Sequence, residues 1–138
     1  MLHHIDIHLR KIDTARPLLD ALAEHIGYRR VAESDEFEEP GFVGYETATG
    51  GRPRFGLIPD PASLPGSTRL AFAVETRGQV DAAAIIARLH GARAIEGPGL
   101  HPEYGDYYAV FFEDADGNKF EICADADACR AAISPRNE

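Results

Sequence analysis

The feature that most constrains the fold of this 138-residue chain is an internal repeat. A half-buried strand begins near His4, and an equivalent strand begins near Arg69, 65 positions later. A glycine suited to end a helix follows in each half, at Gly27 and at Gly91. Each half then continues through three strand-like segments. The order strand, helix, strand, strand, strand therefore occurs twice, which predicts two similar modules before any single residue is interpreted.

Proline and glycine breaks give the expected boundaries of these modules. We expect one domain over 1–138, with module one at about 1–58 and module two at about 68–124. Three prolines and a glycine make 59–67 the linker between them. A short C-terminal helix is predicted at about 126–133, after the last strand.

Two amphipathic helices are predicted, one in each module. Asp13 or Thr14 is expected to cap the first helix, because both side chains accept hydrogen bonds from free backbone N–H groups. Later in module two, a strand is predicted at 93–96 and a long loop at 97–106. The second helix is expected to face the core with one apolar stripe, formed by Ala82, Ile85, Ile86 and Leu89.

Composition and charge narrow the class of protein. The hydrophobic fraction of 44% and the charged fraction of 27% are typical of a globular domain. A net charge of −9 repels phosphate backbones, which argues against nucleic acid as a partner. No apolar run is long enough to span a membrane, and no basic leader opens the chain. We therefore expect a cytoplasmic protein with two reduced cysteines.

Strand alternation sorts the side chains of three strands onto two faces. The residues expected to face the helices are Ile5, Ile7, Leu9, Leu70, Phe72, Val74, Phe120 and Ile122. The residues expected on the concave side are His4, Asp6, His8, Arg69, Ala71, Ala73, Lys119, Glu121 and Cys123. A hollow lined by ionisable groups is costly unless those groups pair, bind a ligand or hold a metal. The periodicity therefore predicts a site in this hollow.

The same strands carry a family resemblance. The phrases are HIDIHLR at 4–10, RLAFAV at 69–74, YYAVFFEDADGN at 107–118 and FEI at 120–122. With them the chain resembles the vicinal oxygen chelate superfamily, which includes glyoxalases, bleomycin-resistance proteins and extradiol dioxygenases, over almost its whole length. The resemblance implies an α+β fold in which two βαβββ modules form a curved eight-stranded mixed sheet around a concave cup, with the helices outside. It also implies a homodimer.

In metal-binding members, the resemblance implies one divalent ion (Fe, Mn, Zn or Ni) on the concave face. Its ligands are a His in the first strand, a His at the start of the fifth and a Glu in the last. His4 and Glu121 match two of these positions, but Arg69 stands at the third. A guanidinium has no lone pair to donate, and its charge repels a cation. The alternatives are a metal completed by Asp6 or His101, a metal-free site in which Arg69 binds Glu121 or an anionic ligand, and a polar lining without a ligand.

The leading functional hypothesis is a glyoxalase/dioxygenase-like protein that handles a small molecule, with a divalent-metal-dependent lyase or dioxygenase as its enzymatic form. In that form the metal polarises a substrate oxygen, and Glu121 or Tyr107 moves protons. His101 is a candidate general base. The alternative is a metal-free, drug-sequestering protein of the bleomycin-resistance type, in which Arg69 contacts an anionic group. The other residues expected to contact the ligand are Asp6, His8, His101 and Tyr104.

Overall fold

A computed structural model describes residues 1–32 and 41–125 of the chain. The helix predicted at 126–133 lies outside these described residues. Within them, no helix is long and apolar enough to cross a bilayer. The elements in chain order are β1 (His4–Leu9), α1 (Ile12–Ala23), β2 (Tyr28–Ala32), β3 (Val43–Thr47), β4 (Arg54–Pro59), β5 (Arg69–Ala73), α2 (Arg77–Leu89), β6 (Arg93–His101), β7 (Tyr107–Glu113) and β8 (Lys119–Ala124).

The strands form two four-stranded mixed sheets, ordered β1-β4-β3-β2 and β5-β8-β7-β6. In each sheet the first strand is parallel to the fourth, and the other neighbours are antiparallel. The predicted α+β class and the two βαβββ modules are confirmed. The eight expected strands form two four-stranded sheets and not one continuous sheet, because in the described chain β1 and β5 each pair only with the fourth strand of their own module.

The predicted alternation of side chains is also confirmed. Along β1, His4, Asp6 and His8 are exposed and Leu9 is buried, and β5 and β8 bury Phe72 and Phe120 in the same way. The inner faces of the two modules meet through aromatic rings. The ring of Phe72 lies 5.1 Å from that of Phe55 and 5.8 Å from that of Tyr28. One core therefore joins the modules, and the polar strand residues point to the opposite, outer faces of the sheets.

Helix α2 packs by a different face from the one predicted. Ile85 and Leu89 are 61% and 76% exposed, and Ile86 is half-buried. Small side chains let a helix backbone approach a sheet closely. The space between α2 and the sheet therefore accommodates the face with alanines and not the face with larger residues. The helix contacts β6, β7 and β8 through this face. Its buried residues are Val80, Ala83, Ala84 and Ala87.

Strand β6 is longer than predicted, and the loop expected at 97–106 is wrong in its first half. The strand continues to His101, with irregular register on both sides of Glu96. Such bulges let a strand include Pro98, which has no N–H to donate to the ladder. A single 3₁₀ turn at Pro102–Tyr104 then leads towards β7. As a result, His101 lies directly opposite Tyr107.

The beginning of α1 also differs from the prediction. Lys11 occupies the cap position, and no side chain caps the helix there, so neither Asp13 nor Thr14 has the predicted role. The Thr14 hydroxyl instead lies 2.9 Å from the carboxylate of Asp114, in the turn between β7 and β8. The same hydroxyl lies 3.0 Å from the Lys11 carbonyl oxygen, so it acts as a donor to these acceptors and does not cap the free N–H groups of the helix. It joins α1 of module one to module two.

Asp114 organises that turn. Its side chain is completely buried, with 0% exposure. It accepts hydrogen bonds from the backbone N–H groups of Asp116 (2.9 Å) and Asn118 (3.0 Å) and from the Asn118 amide (2.7 Å). Next to it, the Arg10 guanidinium binds the Asp116 carboxylate through two hydrogen bonds, of 2.5 and 3.3 Å. The β7–β8 turn is therefore a polar junction between the modules.

Candidate functional site

The outer face of the second sheet collects most of the predicted site residues. Glu121 lies in the middle of β8, with Ala71 of β5 on one side and Phe111 of β7 on the other. The Tyr107 hydroxyl donates a hydrogen bond to the Glu121 carboxylate. The charges of Arg69 and His101 both act on that carboxylate. We refer to Arg69, His101, Tyr107, Phe111 and Glu121 as the outer-face site.

A row of small residues forms the floor of this site. Ala73, Cys123, Ala109 and Gly99 are consecutive cross-strand neighbours on β5, β8, β7 and β6. The row lies between Tyr107 and Glu121, so the tyrosine crosses it to reach the carboxylate. The tyrosine ring therefore covers part of this row, where Ala109 has 0% exposure, whereas Ala73 remains exposed. The surface open to a ligand lies beside the aromatic rings of the site, which suit a flat or apolar ligand body.

Glu121 is the buried acid of the site, with only 6% exposure. Burial raises the pKa of its carboxyl group above the ordinary value, and the charges of Arg69 and His101 oppose that rise. Burial also raises the pKa of the Cys123 thiol, to about 11, with further contributions from the charges of Glu121 and Asp125. The thiol is therefore protonated near neutral pH and is a poor nucleophile.

Arg69 is the exposed cation of the site. Its guanidinium carbon lies 4.9 Å from the centre of the Phe111 ring, a cation–π arrangement. No carboxylate of the described residues lies within 4.0 Å of it. The N–H groups of the Arg69 guanidinium are therefore held at the site without an ion pair. Their planar arrangement suits a carboxylate or phosphonate ligand.

His101 and Tyr104 lie at the rim. The His101 ring is 5.3 Å from that of Phe111, and its Nδ1 atom is 3.3 Å from a Glu103 carboxylate oxygen. The exposed Tyr104 ring is 6.0 Å from that of Tyr107. Both residues thus extend the aromatic wall that begins at Phe111. By contrast, Tyr108 points to the other side of the sheet, where its hydroxyl binds Asp81 of α2.

The three predicted site residues of β1 lie in module one, on the other sheet. His4 is close to His3, with Nδ1 atoms 2.8 Å apart, and its Nε2 is 3.9 Å from Asp6. His8 binds Asp60 of the linker at 3.1 Å. None of these residues is among the charges that act on Glu121. Their role in a shared site remains a prediction.

The donor set of a single chain does not fit a divalent metal. Among residues 1–32 and 41–125, no three His, Cys, Asp or Glu side chains come close enough to hold an ion. Glu121 has an arginine as its nearest cationic neighbour, and a fixed guanidinium beside the carboxylate opposes the binding of a second cation. His4, the other predicted ligand, contacts His3 and Asp6 instead.

Sequence reasoning missed Phe111, Ala109 and Gly99. The signal was present, because Phe111 and Ala109 have the same strand parity as Tyr107 and so share its face. The strand at 107–113 was not sorted into faces from the sequence, and the structure shows Phe111 half-buried on the outer face. Gly99 had no signal, since its strand was predicted to be a loop.

Replacing Glu121 by glutamine should stabilise the fold at neutral pH and have little effect at pH 4. The folded carboxyl has a pKa above its ordinary value of 4.5, so its contribution is fully present below that value. That contribution is lost as the pH rises through the folded pKa, and glutamine cannot ionise. Thermal unfolding from pH 4 to pH 8 measures the difference.

Glu103→Gln is the matched control. A backbone N–H bond and His101 lower the pKa of Glu103, so that variant should lose stability above pH 4.5. Equal curves for Glu121→Gln and the unmodified protein at pH 8 would contradict the raised pKa.

Comparison with protein families gives one match over most of the chain. The model described as Glyoxalase/Bleomycin resistance protein/Dioxygenase superfamily matches residues 4–122. No curated protein matches the sequence at a significant level.

Solved structures with the same fold cover nearly the whole chain. A glyoxalase/bleomycin resistance protein from Albidiferax ferrireducens T118 is 23% identical, with 90% of this chain and 98% of that chain covered and a TM-score of 0.69. A mutant of the fosfomycin resistance protein FosX from Listeria monocytogenes, complexed with Mn(II) and a dihydroxypropylphosphonic acid, is 14% identical, with coverages of 97% and 98% and a TM-score of 0.66. TnmS3, an antibiotic binding protein from Streptomyces sp. CB03234, is 20% identical, with coverages of 91% and 96% and a TM-score of 0.65.

Proposed function

Because the chain belongs to the Glyoxalase/Bleomycin resistance protein/Dioxygenase superfamily, we propose that it binds a small anionic molecule at the outer-face site. The observation that carries this proposal is the position of Arg69. Its guanidinium is exposed, is held over Phe111 and has no carboxylate of the described chain within 4.0 Å. A ligand anion would supply the missing partner.

The remaining residues suit the body of such a ligand. In the floor, Ala73 is exposed and Cys123 is half-buried, so they leave accessible surface beside the Tyr107 ring. Phe111 and Tyr107 supply flat apolar walls, which favours a planar or aromatic body. The Tyr107–Glu121 pair lies beside that space, where its oxygens can exchange hydrogen bonds with a polar group of the ligand. The anion would lie against Arg69, and the ring would lie beside Phe111 and Tyr107.

Two solved structures support this chemistry. FosX is seen with a phosphonic acid, and TnmS3 is described as an antibiotic binding protein. An anionic ligand and a drug-like ligand are thus both found on this fold. Because a fold hosts many functions, the proposal rests on Arg69 and its surroundings and not on these neighbours.

A metal-dependent enzyme, a lyase or dioxygenase, is the second candidate. The observation in its favour is that His4 and Glu121 stand at two family ligand positions. In one chain these residues lie on different sheets, so a second copy would have to bring His4 to Glu121, with Asp6 or His101 completing the set. Arg69 weighs against this candidate because of its charge.

A cytoplasmic homodimer is part of the proposal. The residues that the family resemblance assigns to one cup are divided between two sheets of one chain, and pairing two copies would reunite them. Sedimentation analysis should then give twice the chain mass of 15.0 kDa. A mass of one chain at micromolar concentration would remove this part of the proposal.

Benzoate binding tests the proposed function. Benzoate should bind at the outer-face site more tightly than neutral benzamide, because only the carboxylate can pair with Arg69. Arg69→Met should weaken benzoate binding by about tenfold to thirtyfold, the usual size of a charge-assisted hydrogen bond, and leave benzamide binding unchanged. Isothermal titration or NMR titration measures both affinities.

Arg54→Met is the matched control. Arg54 is also an exposed arginine at the start of a strand, but it lies in module one, opposite His4. Its substitution should leave benzoate affinity unchanged. If Arg69→Met and Arg54→Met had equal effects, the outer-face site would not be the anion site.

A further inference from the structure

A second cavity lies at the junction of the two modules. It has a volume of about 210 Å³ and is lined by β1, by the linker before β5, and by the first residues of β5 and β8. None of Arg69, His101, Tyr107, Phe111 and Glu121 lines it. We call this space the seam cavity. Since it shares no residue with the outer-face site, it is a separate location for a ligand.

One wall of the seam cavity is apolar. Ile5 and Ile7 of β1, Leu70 of β5 and Phe120 of β8 all line it. Ile5, Ile7 and Leu70 point towards the core but remain only half-buried. A cavity between such side chains leaves apolar surface that a hydrocarbon group can cover, and removing that surface from water favours binding.

The opposite wall carries one cation. Lys119 lines the cavity, and its side-chain stem lies 3.5 Å from the position that a Cβ on Gly66 of the linker would occupy. Within residues 1–32 and 41–125, no carboxylate lies within 4.0 Å of the Lys119 ammonium. A half-buried ammonium beside apolar surface is stabilised when an anion pairs with it.

The other polar groups at the cavity leave few free donors. The Ser63 and Ser67 hydroxyls already donate to the carbonyl oxygens of His8 and Leu64, at 2.7 and 2.8 Å. The ring of His8 is bound to the Asp60 carboxylate. Thr68, at the entrance to β5, makes no side-chain hydrogen bond with the described residues. Asn118, which also lines the cavity, is 6% exposed and donates its amide to Asp114. Lys119 and Thr68 are therefore the side-chain donors best placed for a ligand.

Asp6 is the acidic residue of the lining. Its Oδ1 atom lies 3.1 Å from the position of a Cβ on Gly56, so the carboxylate extends over β4 on the outer face. Its other oxygen lies 3.9 Å from His4. The negative charge is thus directed towards groups of module one, whereas Lys119 belongs to module two.

We propose that the seam cavity binds a short aliphatic carboxylate, with its carboxylate at Lys119 and Thr68 and its chain between Ile5, Ile7, Leu70 and Phe120. The volume sets the size of the ligand. An apolar protein cavity of about 150 Å³ is known to hold benzene, so about 210 Å³ suits a molecule of roughly eight non-hydrogen atoms. Hexanoate has this size, one negative charge and an unbranched apolar chain.

Titration with hexanoate tests the proposal, followed by NMR of the full-length protein with labelled isoleucine and leucine methyl groups. Saturable shifts are expected at Ile5, Ile7 and Leu70. Hexanamide, which has the same shape without the charge, should bind about tenfold more weakly. Lys119→Met should weaken hexanoate binding by about tenfold and leave hexanamide unchanged, because methionine retains the apolar stem.

Lys11→Met is the matched control, since Lys11 is the other lysine of the chain and lies outside the seam cavity. It should leave the affinity for hexanoate unchanged. Leu70→Phe, which fills the cavity, should abolish the shifts for both compounds, with the unfolding temperature confirming that the variant is folded. It keeps the proposal testable if Lys119→Met does not fold.

Three results would overturn the proposal. One is equal affinity for hexanoate and hexanamide, which would mean an apolar cavity without anion recognition. Another is binding that survives Lys119→Met and Leu70→Phe. The third is binding that Arg69→Met abolishes, because hexanoate would then occupy the outer-face site. Failure at the seam cavity leaves the benzoate experiment untouched, so the two sites are judged separately.

Discussion

Substitution of Asp114 by alanine should lower the free energy of unfolding by about 3 to 5 kcal/mol, because several buried donors lose their acceptor and each unsatisfied donor costs about 1 to 3 kcal/mol. Asp114 is completely buried and accepts hydrogen bonds from Asn118, the Asp116 backbone and Thr14. Without the Asp114 carboxylate, these buried donors have neither an acceptor nor access to water. Each unsatisfied donor lowers the free energy of unfolding. Urea unfolding followed by circular dichroism measures the loss.

Asp106→Ala is the matched control for this prediction. Asp106 pairs with Arg77, and both side chains are about half exposed. An exposed ion pair contributes between 0 and about 1 kcal/mol, so this variant should unfold close to the unmodified protein. Similar losses for Asp114→Ala and Asp106→Ala would mean that the β7–β8 turn does not hold the modules together.

Thr14→Val separates the junction from the turn itself. It removes the hydroxyl that joins α1 to Asp114, which also lies 3.0 Å from the Lys11 carbonyl oxygen, and the turn keeps its three other bonds. We expect a loss of about 1 kcal/mol, the net value of one hydrogen bond, in the same urea measurement. If the free energy of unfolding of Thr14→Val were unchanged, Asp114 would stabilise only the turn.

Substitution of Arg69 by histidine should create binding of Zn²⁺ or Ni²⁺ where the unmodified protein shows none at micromolar concentration. The change removes a cation beside Glu121 and supplies an imidazole nitrogen with a free lone pair. His101, whose charge also acts on Glu121, is a further donor at the same face. We expect saturable, near-stoichiometric binding of the metal, because imidazole nitrogens suit Zn²⁺ and Ni²⁺. Isothermal titration and elemental analysis measure it.

Arg88→His is the control, because Arg88 is an exposed arginine in the last turn of α2, on the other side of the sheet from Glu121. It should bind metal no better than the unmodified protein. If Arg69→His gains no affinity, the donors around Glu121 do not converge. If chelator-treated, unmodified protein takes up metal in near-stoichiometric amount, Arg69 does not block the site, and the metal-dependent enzyme becomes the better hypothesis.

The sequence by itself determined the modules and the faces of their strands. The repeated order of elements and the alternation at His4–Leu9, Arg69–Ala73 and Lys119–Ala124 are properties of near neighbours along the chain. Such patterns depend on backbone geometry that every strand shares, so they are readable without coordinates. For this reason Arg69 and Glu121 were correctly predicted to share a face.

Only the tertiary structure decided which surfaces meet. Helix α2 buries Ala83 and Ala87 and leaves Leu89 exposed, since the space over the sheet, and not hydrophobicity, selects the packed face. Thr14 binds Asp114 of the other module, a contact between residues 100 positions apart. The modules pack through Phe72 and its aromatic neighbours, and the seam cavity lies where β1 meets β5 and β8. These features depend on the shapes of side chains distant in sequence, which local periodicity does not contain.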